Sequence, residues 1–307
     1  MFAKNKEIKM EKFKSGFVSL IGKPNVGKST LINRLVGEKI TIISPRPQTT
    51  RNIIKGIVTF DEAQIIFLDT PGIMDTKEAK TLIDKYIIKE AIKSLEGVDI
   101  ILLMVNPLPP SEEDKFILQK LKELKKIAFL VINKIDKAKK DYLKELSKIY
   151  CSFFPFTEVI PISAKKGTNL SILVGKMIQY LPYHEPYYSS DLITDQPERI
   201  LVAELIREKI YLLTHQEIPY SAMVKVEQFK ERKGNLIYIK ASIYVEHVSQ
   251  KGILVGKKGK MIKEIGKLAR EDIEKHLGCK VYIDLWVRVK KEWRKHAESF
   301  KELGYKI

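Results

Sequence analysis

The chain is 307 residues long, and at roughly 100–200 residues per domain this predicts two domains, each with its own core. Hydrophobic residues make up 44% and charged residues 30%, a balance that excludes a disordered or fibrous chain. Lysine and arginine number 55 against 38 acids, and the formal charge of +17 points to a polyanionic partner, nucleic acid or anionic lipid. Cys151 and Cys279 lie far apart with no metal-ligand spacing, which argues against a disulfide scaffold or zinc site and fits a reducing cytosol. Residues 1–14, with five lysines and two acids, read as a basic extension without the apolar stretch of a secretory signal. The longest apolar runs, Ile100–Val105 and Ile127–Ile132, are too short to span a bilayer, so a cytoplasmic protein is expected.

Strand-like runs recur at Phe17–Ile21, Ile53–Thr59, Gln64–Leu68, Asp99–Val105, Ile127–Ile132 and Glu158–Ile162. Helices are expected to begin near Lys28, after Thr81, after Ser111, near Lys140 and near Asn169; Ser111 offers a cap, with acids following at the positive end of the dipole. This alternation predicts an α/β domain over residues 15–181, with a mostly parallel sheet and ligand chemistry at the carboxyl ends of its strands. Residues 182–196, rich in Pro, Tyr and small polar side chains, read as an ordered linker. Residues 197–307 change texture. A helix over Glu198–Leu213, strands Ala222–Phe229 and Leu236–Val245 around Lys233-Gly234-Asn235, a helix over Lys260–Leu277, a strand Lys280–Val289 and a short helix Lys291–Leu303 make a smaller α+β unit.

After the first strand stands Gly22-Lys23-Pro24-Asn25-Val26-Gly27-Lys28-Ser29, with Thr30 next, a full GxxxxGK[ST] match in a strand–loop–helix setting. Its backbone N–H groups and helix start cradle phosphates, Lys28 reaches the terminal phosphates, and the Ser29 hydroxyl is placed for Mg²⁺. Asp69-Thr70-Pro71-Gly72, at the end of the third strand, adds a carboxylate for the same ion and a glycine N–H for a γ-phosphate. Asn133-Lys134-Ile135-Asp136 supplies a carboxylate that accepts from guanine N1–H and its exocyclic amine, a donor pair that adenine lacks. Ser163-Ala164-Lys165 offers a backbone N–H to guanine O6. GTP and GDP are therefore expected as ligands. A metabolic P-loop phosphotransferase is the competing reading, and the last two motifs count against it.

The order GKPNVGKS, DTPG, NKID, SAK resembles the translation-factor-related class of GTPases over residues 15–181. The resemblance implies that a threonine after the first helix completes the Mg²⁺ shell, Thr49 or Thr50 here, with Thr50 favoured. It also implies switch segments at residues 38–52 and 70–81. Catalytic roles then fall to Lys28, Asn25, Thr50 and Gly72. Ras-like enzymes place a Gln after DxxG; this chain has Ile73, which can neither donate nor accept, so slow intrinsic hydrolysis is expected. Asn25 resembles the asparagine that helps hold a potassium ion in related GTPases, the alternative being that it shapes the loop. Arg51 fits switch packing better than charge stabilisation.

Charge is unevenly spread: residues 183–250 carry two more acids than bases, and residues 251–307 carry eight more bases than acids. The basic excess includes Gly256-Lys257-Lys258-Gly259, followed by Lys260 and Lys263, a GxxG turn opening an amphipathic helix. Such a turn lets the backbone approach a sugar-phosphate chain closely, while apolar neighbours form a shelf for unpaired bases. The pattern resembles a type II KH module. With SPRPQTTR, REKI (Arg207–Ile210), EIPYS (Glu217–Ser221) and the ending DLWVRVKKEWR…LGY, nearly the whole chain resembles the Era family of GTPases. The resemblance implies a monomeric GTP-switched factor that binds 16S rRNA near its 3′ end and assists maturation of the 30S ribosomal subunit. Contact with the anionic inner face of the cell membrane is a further reading, although the expected helix at 291–303 lacks a strong apolar stripe. Trp286 and Trp293 are expected to pack rather than stack on bases, and the scattered histidines are given no chemistry.

Overall fold

Apolar runs in the amino-terminal half become the strands of one sheet. The computed structural model describes residues 12–43, 53–72 and 82–295, the side chains of 82–84 and 87 excepted. Strands β1 (Lys14–Ile21), β2 (Ile54–Thr59), β3 (Ala63–Asp69), β4 (Ile100–Val105), β5 (Ile127–Ile132) and β6 (Glu158–Pro161) lie in the order 2-3-1-4-5-6. All neighbours are parallel except β2, which returns antiparallel to β3 through a tight turn closed by Phe60 N–H to the Ala63 carbonyl at 2.7 Å. Every residue of β3 and β4 is buried, as a sheet covered on both faces requires.

Helices α1 (Lys28–Val36), α2 (Leu82–Lys93), α3 (Glu112–Leu124), α4 (Lys140–Phe153) and α5 (Leu170–Tyr180) connect the strands. Leu103 and Val105 of β4 and Leu130 and Ile132 of β5 share a core with Ile117 and Leu121 of α3 and Leu146 and Tyr150 of α4. Each such aliphatic side chain contributes about 1.5–3 kcal/mol by burial. Ser111 caps α3 as expected: its hydroxyl accepts from Asp114 N–H at 3.3 Å, and Asp114 returns a carboxylate to Ser111 N–H at 3.0 Å.

Residues 182–195 belong to this first unit. They run along its edge: Ile57 N–H donates to the Ile193 carbonyl at 2.8 Å, Gln64 exchanges two hydrogen bonds with the Tyr188 backbone, and Lys55 pairs with Asp195.

A second unit gathers the residues from Gln196 onward. Its elements are α6 (Glu198–Leu213), α7 (Ile218–Ser221), β7 (Met223–Arg232), β8 (Leu236–Val245), α8 (Val248–Val255), α9 (Lys260–Leu277) and β9 (Lys280–Val289). β8 pairs antiparallel with β7 and parallel with β9. Ile239, Ala241 and Ile243 of β8 pack with Ile206 and Ile210 of α6 and with Ile265, Ala269 and Ile273 of α9. The last three recur every four residues, the stripe that makes α9 legible as a helix. The expected fold class holds: an α/β domain with a mostly parallel sheet, then a smaller α+β unit. The short helices α7 and α8 escape sequence reading because a run of four or eight residues is too brief to establish a helical period. Of the helix expected at 291–303, a single 3-10 turn, Trp293–Lys295, is described, and residues 296–307 lie outside the described residues.

The two tryptophans differ, which corrects the expectation that both pack. Trp293 is fully buried and its indole N–H donates to the Ser221 carbonyl at 3.0 Å. Trp286 is 53% exposed, because strand alternation sends Val281 and Val287 to the core and Trp286 to the opposite face. Trp293→Ala is expected to cost about 3–5 kcal/mol of unfolding free energy, and Trp286→Ala less than about 0.5 kcal/mol. Urea denaturation of the two variants checks the difference.

Candidate functional site

The phosphate-type loop leaves the buried end of β1 and returns at α1. Gly22 has φ 145, and a Cβ there would lie 2.2 Å from the Met104 carbonyl oxygen; Gly27 has φ 103, and a Cβ there would lie 2.3 Å from Asn133 Nδ2. Both positions exclude any side chain. Gly27 precedes α1 without a side-chain cap, and no acid occupies the first turn, so the positive end of the helix dipole is left for an anion. Lys28, buried, donates to the carbonyls of Gly22 at 3.0 Å and Lys23 at 3.1 Å. Burial lowers its pKa to about 8 against a raising contribution from the Asp69 carboxylate.

Ser29 Oγ donates to Asp69 Oδ2 at 2.8 Å, and Asp69 is completely buried at the end of β3. A hydroxyl and a carboxylate side by side form a donor set that fits a hard divalent cation such as Mg²⁺. Thr70 Oγ1 donates to the Leu20 carbonyl at 2.5 Å, tying the end of β3 to β1. Pro71 is buried, and Gly72 lies so close to the loop that a Cβ on it would stand 2.8 Å from Pro24 N. Thr30 is half-buried within α1. Thr49, Thr50, Arg51 and Ile73 lie outside the described residues, as does most of both expected switch segments.

The loops after β5 and β6 are joined to this loop by one carboxamide. Asn133, buried, donates from Nδ2 to the Val26 carbonyl at 2.8 Å and accepts at Oδ1 from Ala164 N–H at 2.9 Å. Lys134, with φ 64, donates from Nζ to the Asn25 carbonyl at 2.6 Å. Asp136 sits exposed on the 3-10 turn Ile135–Lys137, and its Oδ1 accepts from the Ser163 hydroxyl at 2.6 Å. That hydrogen bond holds its carboxyl below the ordinary range, so it stays an acceptor at neutral pH. Ser163 and Ala164 are buried and Lys165 is exposed.

Two of these motifs make contacts that their spacing does not show. Ala164 gives its N–H to Asn133, so the neighbouring N–H of Lys165 becomes the donor best suited to a base oxygen. Lys23, whose backbone belongs to the phosphate-type loop, donates from its side chain to Ser111 Oγ at 2.9 Å and pairs with buried Asp114 at 2.8 Å. No sequence signal links Lys23 to Asp114, since chain topology alone brings them together.

In the second unit, Gly256 (φ 70), Lys258 (φ 53) and Gly259 (φ 75) make the turn between α8 and α9. Gly259 starts α9 with no side-chain cap and no acid in the first turn. Lys257, Lys258, Lys260 and Lys263 are all exposed. Beside them runs a groove of about 320 Å³ between α9 and β9, lined by Ile262, Lys263, Lys267, Arg270, Tyr282 and Leu285 among others. Sequence reading missed Lys267, Arg270 and Tyr282. The recurrence of basic residues at 263, 267 and 270, one face of a helix, was the signal for the first two.

The chain matches the family model of a 50S ribosome-binding GTPase over residues 17–134 and that of a KH domain over residues 217–294. GTPase Era of Halothermothrix orenii is 50% identical over 295 residues, which is 96% of this chain and 99% of that protein. GTPase Era of Geotalea uraniireducens is 48% identical over 296 residues, again 96% and 99%. Among solved structures, a tyrosine-to-alanine variant of Aquifex aeolicus Era bound to GDP and AlF4⁻ has a TM-score of 0.92 at 43% identity, covering 96% of this chain and 100% of its own. Era in complex with MgGDPNP and nucleotides 1506–1542 of 16S ribosomal RNA matches with TM-score 0.92, 43% identity and the same coverage.

The lowered pKa of Lys28 has a sign that can be measured. A phosphate anion favours the charged ammonium, so binding above a pH of about 8 must be accompanied by proton uptake at Lys28, whereas at about pH 6.5 the ammonium is already charged. Calorimetric titration of GDP in buffers of different ionisation enthalpy is expected to show uptake approaching one proton near pH 9, and affinity falling as pH rises through that range.

Proposed function

The chain belongs to the Era family of GTPases, and on that premise we propose that it hydrolyses GTP and holds 16S rRNA near its 3′ end, assisting 30S ribosomal subunit assembly and maturation. The family model of the GTP-binding half is described by large-subunit binding; the small-subunit assignment rests on the full-length relative solved with 16S rRNA nucleotides 1506–1542. The observation that carries the reading is Asn133, whose amide ties the phosphate loop to the Ser163–Lys165 turn and so gathers the phosphate and base-reading loops at one end of the sheet.

Residues 15–181 form the GTP-binding domain in this proposal, residues 182–196 the linker and residues 197–307 the RNA-binding unit. The backbone of Gly22–Ser29 and Thr30 cradles the phosphates, and Lys28 offsets their charge. Asp136 accepts from the guanine N1–H and exocyclic amine, Lys134 and Asn133 brace the base site, and the Lys165 N–H donates to O6. Gly72 N–H meets the γ-phosphate. Ser29 and Asp69, with Thr50, would hold Mg²⁺, which when bound offsets negative charge on the phosphates. Hydrolysis is slow without a partner because Ile73 cannot orient water. Asn25 is the residue assigned to potassium; hydrolysis rates in matched KCl and NaCl test that assignment.

Gly256–Gly259 clamps the RNA backbone, with Lys257, Lys258, Lys260 and Lys263 supplying charge. Monomeric state and peripheral contact with anionic lipid belong to the same proposal, supported by the charge of +17, and size-exclusion chromatography and vesicle pelleting test them. Among the described residues no helix is long and apolar enough to cross a membrane.

Asp136→Asn is expected to cut GTP affinity about tenfold or more, the loss of a charge-assisted acceptor pair, while leaving the melting temperature unchanged. Gly259→Asp is expected to spare GTP binding and weaken RNA about tenfold. Competition of labelled GDP by GTP and ATP, beside filter binding of a 16S 3′-end RNA, decides the proposal. Equal competition by ATP would sink the nucleotide half, and undiminished RNA affinity of Gly259→Asp the other.

A further inference from the structure

Resting on the reading of the second unit as an RNA binder, we propose that the outer face of its sheet is a second binding surface for unpaired RNA bases, continuous with the groove around β9. β9 is an edge strand, paired on one side with β8. Tyr282 lines the groove, and on the outer face it lies opposite Tyr238, the two rings 5.9 Å apart and 13° from parallel. The Arg232 guanidinium stands 4.4 Å from the Tyr238 ring centre, extending the row to β7. Tyr238 OH donates to Asp284 Oδ2 at 3.2 Å, which fixes the ring from its far end. Tyr282 is 60% exposed and Trp286, two residues along the same strand, is 53% exposed.

Single exposed aromatics are ordinary, but exposed Tyr282 and Trp286 beside half-buried Tyr238 and a guanidinium on adjacent strands form a platform. Its charge selects the occupant. The three strands carry six basic and three acidic residues, and the pairing register puts all six basic ones on this face, including Lys230, Lys240 and Arg288, against Asp284 and Glu227, so the face keeps a basic excess. Aromatic rings among basic side chains suit stacked bases with a phosphate chain beside them. An RNA strand lying in the groove meets Tyr282 at the rim and continues onto Tyr238 and Trp286.

The test compares two single-stranded RNAs, one of about four nucleotides, the length a GxxG clamp holds, and one of about twelve. Affinities are measured by fluorescence anisotropy for the full chain, a Tyr238→Ala/Trp286→Ala variant and Gly259→Asp. The double variant is expected to bind the longer RNA about tenfold more weakly and the shorter one unchanged, whereas Gly259→Asp weakens both. A double variant that binds the longer RNA as tightly as the unaltered chain overturns the proposal. If the double variant weakens the longer RNA while Gly259→Asp binds both RNAs normally, the sheet face stands and the groove reading fails. Photo-crosslinking of the longer RNA carrying 4-thiouridine to the unaltered chain does not depend on how the variants fold. Crosslinks at residues 236–244 and 280–288 support the surface, and their absence while residues 256–263 crosslink overturns it.

Discussion

Two hydrogen bonds from one buried amide hold together loops that the sequence keeps far apart. Asn133 gives its N–H to Val26 and takes one from Ala164, so the loop after β1, the loop after β5 and the turn after β6 are set at fixed separations. A carboxylate in its place could accept from Ala164 but not donate to Val26, and an aliphatic residue could do neither. Close packing at Gly27 depends on the same side chain, since it occupies the space where a Cβ would go. A buried amide satisfied at both ends is rigid, because breaking either bond strands a polar group away from water at a cost of about 1–3 kcal/mol.

Charge burial in the first unit follows from that rigidity. Lys28 and Asp69 are both withdrawn from solvent at the mouth of the loop, where neither would be tolerated without a compensating charge or dipole. The lowered pKa of Lys28 shows that Asp69 compensates incompletely. A triphosphate and its cation supply complementary charges, which turns an unfavourable arrangement into a selective one. The Lys23 side chain, paired with Asp114 at the start of α3, anchors the outer edge of the loop to the scaffold.

The second unit works by presentation rather than by enclosure. Its lysines are exposed around a turn in unusual backbone conformations, beside a groove lined by basic, aliphatic and aromatic side chains. Affinity built from exposed charge is sensitive to salt, and specificity then has to come from the apolar and aromatic residues beside it.

Sequence alone determined the classes of element and the chemistry of the loops. β4 and β5 are apolar from end to end, α9 repeats its apolar residues every fourth position, and Gly22–Ser29 can hardly be anything but a phosphate cradle, because these signals are local in the chain. Local signals also account for what was missed: α7 and α8 are too short to repeat the helical period often enough to announce it. Only the tertiary structure decided where side chains point and what they touch: that Asn133 ties Val26 to Ala164, that Lys23 pairs with Asp114, that Trp293 is buried while Trp286 is exposed. Those outcomes depend on contacts between residues separated by tens to more than a hundred positions, which the folded chain brings together and linear spacing does not encode.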